Sequence, residues 1–174
     1  YELYINGEKI GDHCLATLYT RFDRRNLYVA YDVTSQLQNG DYAIGVLLGN
    51  GWYNHQSKAV WDFDRAPWRN RPTFCLDLRI TSTDGSVETI PTDLSRRTAS
   101  GAITFNSIYT GEHYDARLEQ KGWSTPEFDD SKWRGVAYRS VPSSNVTAQQ
   151  VHPIRNVKIF PDVSYRKEYE KTYI

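Results

Sequence analysis

Hydrophobic and polar positions alternate with a two-residue period along most of the chain, and the 3.6-residue period of an amphipathic helix is almost absent. That alternation predicts strands at Glu2 to Ile5, Leu15 to Phe22, Leu27 to Asp32, Asp41 to Leu48, Thr73 to Thr81 and Val87 to Thr92, with shorter ones at Ser107 to Tyr109 and Val136 to Tyr138. Asn6-Gly7, Asn39-Gly40, Asn50-Gly51 and Asp84-Gly85 separate them, dipeptides that accept the positive φ of tight hairpin turns. Strands of this length and spacing predict an all-β, antiparallel β-sandwich. Asp32 to Leu37 opens with an N-cap residue and supports one short helical turn at most. Asn54 to Arg71 has no clear period and is long for a loop in a compact domain, which points to a functional or partner-covering segment. The tail from Val141 is Pro-punctuated and polar and then becomes charged from Arg166 to Lys171, the pattern of a solvated strand or linker.

Composition narrows the function classes. A length of 174 residues is that of one domain, large enough for a core without metal or disulfide staples and too short for a multi-domain enzyme. There is no Met, and the first residues are already strand-like, so the chain reads as a piece of a longer polypeptide. Lys plus Arg number 21 and Asp plus Glu 21, which leaves no electrostatic footprint for nucleic acid or for an anionic membrane. The longest apolar runs, such as Ala43 to Leu48, fall far short of a bilayer span, so a soluble domain is expected. Trp, Tyr and Phe make up 14% of the chain, a supply that fits all-β packing or an aromatic-lined binding surface. Cys14 and Cys75 lie far apart with no His at ligand spacing, and they read as free, buried thiols. His13, His55, His113 and His152 are scattered, and neither a metal site nor nucleophilic catalysis can be built from them.

Three blocks carry the chemistry. Tyr1 to Asp12 is a strand, an Asn-Gly turn and a return; Tyr31 to Thr34 through Gly45 to Tyr53 is a buried strand ending in Gly49, Gly51, Trp52 and Tyr53; and Ile108 to Glu119 contains Gly-Glu-x-Tyr-Asp-Ala-Arg at Gly111 to Arg117, followed by Gly122 to Trp133. In this order the blocks resemble the N-terminal β-sandwich domain of bacterial α-L-rhamnosidases, large multi-domain glycoside hydrolases, over roughly Tyr1 to Val141. The sugar-binding domain of β-galactosidase-like enzymes shares only the first block. The resemblance implies a galactose-binding-like jelly roll at 1–141 whose first strand precedes Tyr1, and an extension at 142–174 leading toward the next domain. It also implies a parent acting outside the cytoplasm on rhamnose-containing glycans.

Under that resemblance the catalytic carboxylates lie in a separate helical-barrel domain, so this chain is expected to be a non-catalytic accessory domain. It would assist glycan recognition or position the catalytic domain; the alternative is a structural module with no ligand. Pyranose rings pack their C–H faces on Trp or Tyr while carboxylates, amides, Arg or an oxygen-liganded calcium hold the hydroxyls. Asn50, Trp52, Tyr53, Glu112, Asp115 and Arg117 are the candidates for carbohydrate binding. Some related rhamnose-binding modules use calcium held by adjacent Asp and Asn; here the matching dipeptide is Asp115-Ala116, which lacks the amide, so calcium is optional rather than required. Packing competes with each role: Trp52 and Tyr53 follow a buried strand, and Glu112, Asp115 and Arg117 can form an internal charge network. Trp61 and Trp68 are the candidates for exposed aromatics, and Ser124 to Trp133 reads as a structural corner.

Overall fold

The computed structural model describes residues 1–37, 40–58 and 61–161, together with the backbone of 167–169 and 172–173. Asn39 of one predicted turn, and Arg166, Glu170 and Lys171 of the charged tail, lie outside the described residues.

The element order is β1 (Glu2–Ile5), β2 (Glu8–Ile10), β3 (Asn26–Tyr28), β4 (Ile44–Leu47), β5 (Asp77–Thr81), β6 (Val87–Pro91), β7 (Arg97–Thr98), β8 (Ile103–Ser107), β9 (Gly111–Tyr114), β10 (Arg134–Gly135), β11 (Val146–Ala148), β12 (Lys167–Tyr169) and β13 (Thr172–Tyr173). Two 3₁₀ turns, Phe63–Arg65 and Ala116–Leu118, are the helical content among the described residues. The fold is all-β, as the two-residue period predicts. Its pairings are antiparallel except β3 with β11, which run parallel.

β1 is the centre of a three-stranded sheet in the order β2-β1-β4. Asn6 and Gly7, at φ 49° and 85°, make the two-residue turn into β2. Leu3 and Ile5 alternate inward and meet Ile10, and Tyr31, Val33, Tyr42, Val46 and Leu76 pack against that trio. On the opposite face Tyr4 lies across the ladder from Gly45, and the space above that glycine is filled by Trp123, whose ring meets Tyr4 edge-on at 5.2 Å. A second core joins Phe22, Phe63 and Trp68, with Trp52, Tyr53 and Ala66 against it.

Several strands are shorter than the alternation predicts, one does not form and two are displaced. Leu15 to Phe22 forms no ladder: Leu15 has φ 50°, only Cys14 bridges to Ile154, and the Leu18 amide donates to the Gln149 side chain instead of to a strand. The segment delivers Tyr19 and Phe22 to the aromatic core. Ser107 is the last ladder residue of β8 and Ile108 and Tyr109 turn the β8–β9 hairpin, and pairing at the predicted Val136 to Tyr138 strand falls instead on Arg134–Gly135. Asn50-Gly51 does not close a hairpin: the Asn54 amide donates to the Asn50 carbonyl at 2.9 Å, a helical turn that points Trp52 and Tyr53 into the second core. Cys14 and Cys75 are free thiols, but Cys75 is exposed and Cys14 only half-buried, since neither packs into a core. Residues 143–149 return to the sandwich through β11, where Asn26 bonds the Ser143 and Asn145 carbonyls, and Arg155 ion-pairs with Asp12 at 2.6 Å. No described helix is long and apolar enough to cross a membrane.

Candidate functional site

The second and third sequence blocks meet at the β8–β9 hairpin. The Asn106 side-chain oxygen accepts the Asn50 amide at 2.7 Å, the Asn50 side chain donates to the Asn106 carbonyl at 2.9 Å, and Asn54 donates to the Asn50 side chain at 2.7 Å. Every polar end of Asn50 is thus used within the chain. Asn106 stands across the ladder from Glu112, which places Glu112 beside the Asn50 network, exposed to solvent.

Trp52 is half-buried against Tyr19, Phe63, His55 and Tyr109, with ring centroids 5.6 to 5.9 Å apart. Tyr53 meets Phe22 edge-on at 5.4 Å. Both therefore serve the second core first, with Tyr109 at the hairpin tip bringing the third block onto Trp52. Trp68 is buried in that core, contrary to its expected exposure, because the 3₁₀ turn at Phe63–Arg65 folds the long loop back on itself and packs Phe63 against it at 5.8 Å. Trp61 is 76% exposed, as expected.

Asp115 and Arg117 pair with each other. Asp115 Oδ1 accepts from the Arg117 backbone amide at 3.1 Å and from Nε at 2.8 Å, while Oδ2 accepts from Nη2 at 2.6 Å, and Asp115 so caps the 3₁₀ turn Ala116–Leu118. The Arg117 guanidinium holds the Asp115 carboxyl below its ordinary range. Arg117 also lines an open groove of about 540 Å³ with Ser100, Thr104, Leu118, Glu119 and Gln120. Tyr114 flanks it, its hydroxyl donating to Glu119. The six candidates therefore fall into two sets, Asn50, Trp52, Tyr53 and Glu112 around Asn106 and Tyr109, and the Asp115–Arg117 pair at the groove.

The donors around Asp115 do not fit calcium: both carboxylate oxygens face a guanidinium, and no group of three metal-ligating side chains gathers among the described residues. The corner predicted at Ser124 to Trp133 is structural, with Phe128 edge-on to Trp133 at 5.4 Å and the Trp133 indole donating to Gln120 at 2.7 Å. Sequence reading missed Tyr19, Phe63, Tyr109 and His55. His55 is 1% exposed, and neither ring nitrogen has a hydrogen-bond partner among the described residues. Only the chain fold, which stacks the loop on the hairpin tip, reveals these four as neighbours.

A family model described as the α-L-rhamnosidase N-terminal domain matches residues 1–158. An α-L-rhamnosidase of Formosa agariphila is 38% identical over 161 residues, covering 91% of this chain and 17% of that protein. The solved α-L-rhamnosidase of Dictyoglumus thermophilum superposes with a TM-score of 0.85 at 38% identity, over 99% of this chain and 18% of the other. That of Streptomyces avermitilis, solved with L-rhamnose, gives 0.82 at 34% identity over 90% and 15%. The chain spans less than a fifth of the length of these relatives, and over that span sequence and fold agree: it belongs to the α-L-rhamnosidase N-terminal domain family.

Proposed function

We propose that this is the non-catalytic accessory domain of an α-L-rhamnosidase, a jelly-roll module that positions the catalytic part of the polypeptide for rhamnose-containing glycans. The balance of apolar side chains carries this reading: among the described residues Leu3, Ile5, Ile10, Phe22, Phe63 and Trp68 are the buried hydrophobics, whereas Trp61, Tyr109, Tyr138 and Val157 are more than half exposed, which fits a domain that packs against other domains. Glycoside hydrolysis needs a protonated carboxyl facing a second carboxylate. Asp115, held as an anion by Arg117, is unsuited to the acid role. The test is deletion of this domain from the full-length enzyme, assayed on a small aryl rhamnoside and on a rhamnosylated polysaccharide. Positioning predicts that kcat/KM falls on both substrates; unchanged values on both would refute it.

The groove beside Tyr114 favours a second role, direct glycan recognition, because an exposed aromatic there flanks Arg117 and Glu119. Asp115 would then orient Arg117, and Glu112 would extend the polar edge along β9. This role operates without calcium. Calorimetric titration with L-rhamnose, repeated with chelator, should give the same saturable heat in both conditions and none in Tyr114→Ala or Arg117→Ala. A deletion that costs activity on the polysaccharide alone would favour this second role over the first.

A further inference from the structure

The second core does not end at the surface of the protein. Tyr109 meets Trp52 at 5.8 Å, Trp52 meets Tyr19 at 5.9 Å, Tyr19 meets Phe63 at 5.3 Å, and Phe63 meets Trp61 at 5.5 Å, so five rings form one unbroken belt. Three of them open to solvent: Trp61 at 76% exposure, Tyr109 at 54% and Tyr19 at 41%. Trp61 and Asp62 both adopt positive φ, 47° and 52°, a strained arrangement for non-glycine residues. In the same loop both His55 nitrogens, Asp64 Oδ1 and Trp68 Nε1 are buried without hydrogen-bond partners among the described residues. Such groups call for partners beyond the described residues.

Exposed aromatics joined through shared inner rings, with a charged border, fit the anatomy of a protein interface, and Asp62, Arg65 and Arg69 supply that border. The 540 Å³ groove lies elsewhere and includes none of these rings. In the relatives this length of chain is accompanied by more than four-fifths of the polypeptide.

We propose that the Tyr19–Trp52–Phe63–Trp61–Tyr109 belt is the face on which this domain docks another domain of the same rhamnosidase polypeptide, with Trp61 as the anchor. The inference rests on the positioning role above and identifies the surface that performs it.

Hydroxyl-radical footprinting of the full-length rhamnosidase containing this sequence tests it, with the exposed Tyr138, 74% accessible and outside the belt, as internal reference. Docking predicts that Trp61 and Tyr109 are labelled roughly fivefold to tenfold more slowly than their exposure in the lone domain implies, because interface cores are desolvated. Tyr138 should label at its full rate. Trp61→Ser, which removes an exposed side chain and leaves the fold intact, should restore Tyr109 labelling. Full labelling of the belt with protection on another face would overturn this assignment and leave the positioning role standing. Full labelling of every exposed aromatic would remove both. Protection that depends on protein concentration would assign the belt to a second copy, and protection that appears only with added rhamnose oligosaccharide would assign it to glycan; either result overturns the proposal.

Discussion

Gly45 has no side chain because Trp123 already occupies the volume above it. A Cβ there would lie 2.4 Å from Trp123 Cζ3 and 2.8 Å from Ser124 Cβ, neither of them the end of a flexible side chain. Gly45→Ala should therefore destabilise the domain by about 1 to 3 kcal/mol, the usual cost of overpacking, read as a lowered urea midpoint. Asn50 makes a parallel case from polar chemistry. Its side chain joins the loop to β8 through Asn106 and to Asn54, so Asn50→Ala should cost about 1 to 3 kcal/mol by leaving partners unpaired in a half-buried site. A fully stable Asn50→Ala would show that the network does not hold the loop. Both residues are visible in the sequence as part of a glycine-rich strand end, yet their roles are not. Packing of Trp123 on Gly45 joins positions far apart in the chain, and no local pattern encodes it.

Local chemistry made the β1–β2 hairpin readable: Asn6-Gly7 sets a two-residue turn, and the Leu3, Ile5, Ile10 alternation sets its inward face. Leu3→Ala or Ile5→Ala should each cost about 2 to 5 kcal/mol, since the cavity opens in a core of few buried residues. On the outward face Lys9 donates to Glu2 across the hairpin, and Tyr4 donates to it along the same strand. Burial pushes the Glu2 carboxyl up, but these two hydrogen bonds outweigh it and bring it below its ordinary 4.5, while burial and the same bond push the Tyr4 hydroxyl up to about 12. A carboxyl with a depressed folded value contributes stability above its unfolded value and loses it as pH falls through the folded one. Acid titration should therefore destabilise the wild type below about pH 4.5, and Glu2→Gln should lose part of that acid sensitivity. An identical pH dependence in the two proteins would show that the carboxylate adds nothing. The Leu15 to Phe22 segment was misread for the opposite reason. Its alternation is strand-like, but its aromatics are recruited by a core assembled from distant loops, and its described backbone bonds are single contacts, such as the Leu18 amide to the Gln149 side chain, rather than a ladder.

At the scale of the whole molecule, the all-β class and the family were legible because strand period, turn dipeptides and two motif blocks are local signals. The composite surface was not, because Tyr19, Trp61 and Tyr109 come from three separated segments that only the fold gathers on Phe63 and Trp52. Two small cores and a set of exposed aromatics describe a domain made to be covered. Such a domain should bind the remainder of its polypeptide even when the two are produced separately. The most direct measurement is calorimetric titration of this chain into the rhamnosidase lacking it. The account predicts saturable one-to-one association with Kd about micromolar or tighter, the range of a standard-size interface. No association at concentrations well above that, between two folded partners, would contradict it.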